Sequence, residues 1–162
     1  MNKAYLILGG NMGDRQENLN QALKLLTRYG VVLCRASSVY ETEPWGMQDS
    51  QFFLNMAINV QFEGSPHQLL ELCLTVEQQM GRVRNKNKYS SRIIDIDILF
   101  FNNEIISTSN LEVPHPRIRQ RKFVLVPMVE INPDHVHPVY HQSVVKLLEV
   151  CEDKSVVRRY IP

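Results

Sequence analysis

Phe53-Leu54-Asn55-Met56-Ala57-Ile58-Asn59-Val60-Gln61-Phe62 alternates with a period of two. In an extended chain that period places Leu54, Met56, Ile58, Val60 and Phe62 on one face and Phe53, Asn55, Ala57 and Asn59 on the other. The first set belongs in a core. Directly after it, Ser65-Pro66-His67-Gln68 has the form of a capping box with proline at the first helical position. Leu69, Leu72, Cys73, Val76 and Met80 then recur at helical spacing up to Gly81, which predicts an amphipathic helix. Upstream, Ala4 to Leu8 reads as a buried strand, and Asp14 with Glu17 opens a helix carrying Leu19, Ala22, Leu23 and Leu26. Gly30 falls where a left-handed C-terminal residue is wanted, and Val31 to Tyr40 reads as another strand. Glu41 to Ser50 has turn chemistry and no period.

Downstream, Arg92 to Phe101 is a β-branched and aromatic run, followed by Asn102-Asn103 as a two-residue hairpin turn into Glu104 to Ser107. The order strand, helix, strand, strand, helix, strand predicts an α+β chain: a ferredoxin-like βαββαβ sandwich, with an antiparallel sheet covered by helices on one face. A C-terminal extension follows, with helices over Lys122 to Glu130 and Ser143 to Cys151 and a late strand in Val156 to Ile161. One domain spanning 1–162 accounts for the whole chain.

With a formal charge of +1, the 162 residues lack the positive excess of a generic nucleic-acid binder. No apolar run reaches the ~20 residues of a membrane span. Cys34, Cys73 and Cys151 are odd in number and widely spaced, which reads as reduced core residues and a cytoplasmic setting. A monomer is expected.

The chemistry concentrates in Ile93-Ile94-Asp95-Ile96-Asp97-Ile98-Leu99. Alternation puts Asp95 and Asp97 on one face, and Ile94, Ile96, Ile98 and Phe100 on the other. Carboxylates two residues apart sit roughly 6.5 to 7 Å apart along a strand, near enough to converge on a cation. Mg²⁺ suits that pair, because it takes one or two carboxylates and completes its shell with water and substrate phosphates. The plainer reading is that the charges guard a strand edge. A strand this apolar is expected to be central.

Arg82-Val83-Arg84-Asn85-Lys86-Asn87-Lys88-Tyr89-Ser90-Ser91-Arg92 carries five cations and no acid, a composition suited to a triphosphate or simply to a solvated loop. Pro114-His115-Pro116-Arg117 holds a histidine between prolines ahead of Arg119, Arg121 and Lys122, where it could reach outer phosphates or serve structure alone. Phe53 and Asn55 offer an aromatic surface and an amide that together suit a flat heterocycle. His67, His135, His137 and His141 show no metal-ligand spacing, and Gly9-Gly10-Asn11-Met12-Gly13 lacks the lysine of a phosphate loop.

Gly81-Arg82-Val83-Arg84, Ser91 to Leu99 and Val113-Pro114-His115-Pro116-Arg117 closely resemble the 6-hydroxymethyl-7,8-dihydropterin pyrophosphokinase family. Leu8 to Asp14, Tyr40 to Gly46 and Phe53-Leu54-Asn55 resemble it too, so the likeness spans essentially the full length. The resemblance implies transfer of the β,γ-diphosphate of ATP to the hydroxymethyl group of the dihydropterin, releasing AMP, in folate biosynthesis. It implies two Mg²⁺ ions on Asp95 and Asp97, and Arg82 and Arg92 stabilising the transferring group. By the same likeness Arg84, His115 and Arg121 hold ATP phosphates, while Glu77, Tyr89 and Ile98 line the nucleotide site. The pterin is expected between Phe53 and Phe123, its edge on Asn55 and Asp95, with Thr42, Glu43 and Trp45 completing that pocket. Position 53 is Phe where many members carry Tyr, and position 89 is Tyr where many carry Trp. Two other classes fit parts of the pattern: a ferredoxin-like RNA-binding module and a nucleotidyltransferase using the same aspartates. Two carboxylates amid the binding face argue against RNA.

Overall fold

The computed structural model describes residues 1–43, 51–81 and 93–162. Among these, the elements run β1 (Asn2–Gly10), α1 (Arg15–Arg28), β2 (Val32–Ala36), β3 (Tyr40–Thr42), β4 (Phe53–Phe62), α2 (Pro66–Gln79), β5 (Asp95–Phe101), β6 (Ile106–Ser107), β7 (Glu112–Val113), α3 (Lys122–Ile131), α4 (Val144–Glu149) and β8 (Val157–Arg159). A 3-10 turn, Ile118–Gln120, leads into α3. Local chemistry sets the helix ends. The Asp14 carboxylate accepts from the Glu17 N–H at the start of α1, and Ser65 and Gln68 form a reciprocal capping box at the start of α2. Past the two C-termini, Gly30 (φ 96°) and Gly81 (φ 85°) take the left-handed conformation that a side chain would disfavour.

The main sheet is antiparallel in the order β5-β1-β4-β3-β8, with β2 pairing to the far half of β4. The second strand expected over 31–40 is therefore two strands. Between them Ser37 exchanges hydrogen bonds with Ala57, while Ser38 donates from both its N–H and its hydroxyl to the Glu130 carboxylate on α3. These bonds pull the chain out of line. Leu54, Met56, Ile58, Val60 and Phe62 pack with Leu6, Leu8 and the isoleucines of β5 beneath α1 and α2. Tyr5, Ile7 and Ala57 form the base of a second core under α3 and α4. Helices thus cover both faces, not one, because the middle of the second face is also apolar and α3 brings Val124, Leu125, Met128 and Ile131 to it.

β5 is an edge strand, contrary to its central reading. Its outer backbone groups find partners outside the sheet: the Ile96 N–H donates to the Glu77 carboxylate (2.7 Å), and Leu99 O accepts from the His115 N–H (3.0 Å). That cover allows an edge to be apolar. A bulge also breaks its alternation. The register passes from Tyr5↔Phe100 to Leu6↔Ile98, leaving Leu99 as an extra residue. Ile94, Ile96 and Ile98 lie in the first core, but Phe100 turns over into the second, edge-on to Tyr5 at 6.1 Å. Asn102 (φ 50°) does make a turn, but β6 pairs with β7 rather than folding back on β5. Of the cysteines, all unpaired, only Cys73 is buried. Cys34 is exposed on β2, whose five residues are all exposed, and Cys151 is half-buried.

The second core ends at His137, which is 3% exposed, stacked on Tyr140, and accepts at Nδ1 from the N–H groups of Val139 and Tyr140. Burial, followed by the nearby charges of His135 and Arg119, pushes its pKa down from 6.5 to about 4. The unfolded chain then binds a proton that the native chain refuses, so stability is complete above pH 6.5 and declines as pH falls towards 4. His137 contributes to that loss in the window between these two values. In urea titrations at pH 7, 5.5 and 4.5, His137→Gln is expected to flatten the decline; an unchanged slope would contradict the assignment. No described helix is long and apolar enough to cross a membrane.

Candidate active site

Three strands bring the site together at the end of β1. Asp95 of β5 pairs with Gly9, and Gly9 pairs on its other side with Asn55 of β4, so the row reads Asp95–Gly9–Asn55. One step on, Asp97 pairs with Ile7 and Ile7 with Ala57. Alternation from Ile7 and Ala57, which lie in the α3-side core, puts Gly9, Asn55 and both aspartates on that same face. Gly9 is required there. A Cβ at position 9 would lie 2.1 Å from Asn55 Oδ1, so the amide lies over space that only glycine leaves open. Asn55 is 6% exposed, whereas Asp97 keeps 38% of its side chain exposed.

His115 approaches from the edge of β5, fixed by its N–H bond to Leu99 O. Its Nδ1 accepts from the Arg117 N–H (3.2 Å), which leaves the proton of the neutral ring on Nε2, and Nε2 lies 4.0 Å from Asp97 Oδ2. Burial, then Arg121, lowers the pKa to about 4 against the opposing pull of Asp95. At neutral pH the contact is thus an uncharged donor beside a carboxylate rather than an ion pair. Arg121 caps α3 with its guanidinium 5.7 Å from the ring centre of Phe123, in the first turn of that helix. Phe123 packs against the second core, and Phe53 is half-buried at the start of β4 on the Asn55 face.

Beside Asp97 opens a cavity of about 200 Å³ whose walls include Leu70, Ile96, Ile98, Leu111 and His115. Of these, Ile98 and His115 had been singled out in the sequence. Leu70 and Leu111 were not, since a leucine in an amphipathic helix and another in a loop look like ordinary core. Glu77 is buried behind β5, holding the Ile96 N–H. Thr42 is 4% exposed, its hydroxyl without a hydrogen-bond partner among the described residues, and Glu43 is exposed. Arg82, Arg84, Tyr89, Arg92 and Trp45 lie outside the described residues. The Gly-Gly-Asn stretch serves structure: Asn11 is 2% exposed and donates to Gln51 O (3.3 Å).

The family model for 7,8-dihydro-6-hydroxymethylpterin-pyrophosphokinase (HPPK) matches residues 5–133. The chain belongs to this family. As an HPPK it performs the pyrophosphokinase step of folate biosynthesis. It is 46% identical over 131 residues to the 2-amino-4-hydroxy-6-hydroxymethyldihydropteridine pyrophosphokinase of Bacillus subtilis, covering 80% of this chain and 78% of that one. Identity to the Methylorubrum extorquens protein of the same name is 43%, over 84% and 86% of the two chains. Among solved structures, Plasmodium falciparum HPPK-DHPS with pteroate shares the fold at a TM-score of 0.74 and 18% identity, over 91% of this chain. This chain spans less than half of that protein (42%), and 27% of the Arabidopsis thaliana folate synthesis bifunctional protein, to which it is 41% identical.

Within an HPPK site, the space under Asn55 becomes testable. Gly9→Ala is expected to raise the KM for the pterin about 10-fold or more, since displacing a buried amide forfeits a hydrogen bond worth ~1–3 kcal/mol. The KM for the nucleotide should change little. An unaltered pterin KM would show that Asn55 does not contact the substrate.

Proposed function

We propose that the chain transfers the β,γ-diphosphate of ATP to the hydroxymethyl oxygen of 6-hydroxymethyl-7,8-dihydropterin, releasing AMP. One observation carries this reading: Asp95, Asp97 and Asn55 share one face, with a cavity of about 200 Å³ at one side, room for a base but not a whole nucleotide, and the Phe53 aromatic surface at the other. The pterin stacks between Phe53 and Phe123 and offers its edge to Asn55 and Asp95. The adenine enters the cavity at Ile98 and Leu111. Its phosphates run towards His115 and Arg121, whose neutral Nε2–H and permanent cation suit phosphate oxygens. The five cations of 82–92 lie immediately ahead of β5 in the chain; Arg82 and Arg92 stabilise the transferring group, while Arg84 and Tyr89 act on the nucleotide. Thr42, Glu43 and Trp45 close the pterin side, and Glu77 supports the nucleotide side by holding Ile96 in place.

The donor set fits Mg²⁺. Asp95 and Asp97 are hard oxygen ligands, half-buried and on one face, and no group of three or more His, Cys, Asp or Glu gathers among the described residues. Such a pair suits two ions that take their remaining ligands from water and phosphate. When bound, Mg²⁺ neutralises charge on the phosphate oxygens and lowers the pKa of a nearby hydroxyl. The protein itself aligns the pterin oxygen with the β-phosphorus and excludes water from the donor.

The strand order supports a ferredoxin-like sandwich whose second strand is split and whose sheet is extended by β8. Three unpaired cysteines support a reducing, cytoplasmic setting, and we take the working unit to be a monomer. Family membership disfavours the RNA-binding and nucleotidyltransferase readings. Calorimetric titration with α,β-methylene-ATP tests the nucleotide site. Binding is expected to require Mg²⁺ and to weaken about 10-fold in His115→Ala, the loss of a hydrogen bond to a charged group. Binding indifferent to both would overturn it.

A further inference from the structure

Arg15, the first residue of α1, is bonded to both strands that lead into and out of the pterin side of the site. Its Nη1 donates to Glu41 Oε2 at 2.7 Å and to Phe52 O at 2.8 Å. The side chains of Arg15 and Glu41 are 16% and 21% exposed, and the Tyr160 ring lies over the guanidinium at 5.2 Å. The pair is thus shielded, and its geometry is over-determined by three neighbours. Glu41 directly precedes Thr42, and Phe52 directly precedes Phe53. Thr42 and Phe53 face each other across β3 and β4, as do Glu41 and Leu54. β3 is only three residues long: it pairs with β4 over Tyr40, Glu41 and Thr42 on one side and with the equally short β8 on the other, and both ladders stop at Thr42, so side-chain bonds have a part in holding that end. Asn11, four residues before Arg15, adds a second hold by donating to Gln51 O. One short stretch at the start of α1 therefore sets where β3 ends and where β4 begins.

We propose that Arg15 is a positioning residue of the pterin site: by binding Glu41 and Phe52 O together it fixes Thr42, Phe53 and, two residue pairs on, Asn55. The inference rests on the pterin reading above. It assigns a function to a side chain that touches no substrate. Arginine suits the task because its rigid, permanently charged guanidinium aims Nη1 at the carboxylate and the carbonyl together, whereas the ammonium of lysine, on a flexible stem, holds the two less firmly. The nucleotide cavity lies across the sheet, on β5 and α2, so a displaced β3 end alters pterin binding and leaves ATP binding alone.

The test compares the KM for the pterin, the KM for ATP and kcat in wild type, Arg15→Ala, Arg15→Lys and Glu41→Gln. Arg15→Ala is expected to raise the pterin KM at least about 10-fold with the ATP KM within twofold, and Arg15→Lys to recover part of the loss. Should Arg15→Ala fail to fold, Glu41→Gln decides, since it keeps the Phe52 bond. A rise of about threefold or more in its pterin KM supports the inference, and an unchanged value overturns it. Equal changes in both KM values, or a fall in kcat alone, would make Arg15 a general fold residue and overturn it as well. Wild-type protein inactive on the pterin would instead refute the substrate reading, which separates the two failures.

Discussion

Asp97→Ala is expected to lose at least about 100-fold in turnover, the scale on which removing one group that stabilises transition-state charge is felt, while its melting temperature stays close to wild type. The two effects separate because of where the carboxylate sits. Its side chain is 38% exposed, so its removal costs little in packing. The proposed reaction, in contrast, concentrates negative charge on phosphate oxygens at this face. Without Asp97 one side of the proposed cation site is gone, and the neutral imidazole of His115 supplies no anionic replacement. The check is AMP release at saturating Mg²⁺, ATP and pterin, together with a thermal melt. Wild-type turnover in the folded variant would remove the aspartate pair from the mechanism.

Phe100→Ala is expected to lose about 3 to 5 kcal/mol of stability, the usual cost of emptying a buried phenylalanine site. The ring is 1% exposed and touches Tyr5 edge-on, with His135 at 4.3 Å and His137 at 5.6 Å between centroids. It therefore joins β5 to the C-terminal segment as well as filling the second core. Urea unfolding measures the loss, and a cycle with His137→Ala should show coupling of about 0.5 kcal/mol or more, as contacting residues do. Coupling near zero would mean that the ring faces α1 and α2, as an unbroken alternation requires.

That bulge illustrates what sequence can and does not carry. Around it Ile98-Leu99-Phe100-Phe101 is uniformly apolar, so a one-residue slip leaves no trace in the hydrophobic pattern. The alternation of 53–62, by contrast, mixes asparagines with large aliphatics, and its faces come out as read. Helix ends were legible because their signals are local: Asp14, Ser65, Gln68 and the glycines at 30 and 81 act within one turn. The break between β2 and β3 was not, because it depends on Glu130, more than ninety residues away from Ser38. The edge position of β5 depends likewise on Glu77 and His115, which satisfy groups that a neighbouring strand would otherwise hold.

In the site, Asp95 and Asp97 were legible from strand geometry, and Phe53 and Asn55 from the polar face of an otherwise apolar strand. Gly9 read only as part of a glycine-rich stretch that lacks the lysine of a phosphate loop. Its place beneath Asn55 follows from a register between strands separated by more than forty residues, and that register is invisible in one dimension. The bond of Arg15 to Glu41 and Phe52 O is invisible in one dimension for the same reason. The pterin itself came from resemblance, not from the carboxylates, whose chemistry specifies a cation and a phosphate chain but no particular acceptor.

The most direct test of diphosphate transfer on this face is ³¹P NMR of the protein mixed with Mg²⁺, ATP and 6-hydroxymethyl-7,8-dihydropterin. AMP and a pterin diphosphate should appear in equal amounts; ADP, or free pyrophosphate released with AMP joined to the pterin, would contradict the account.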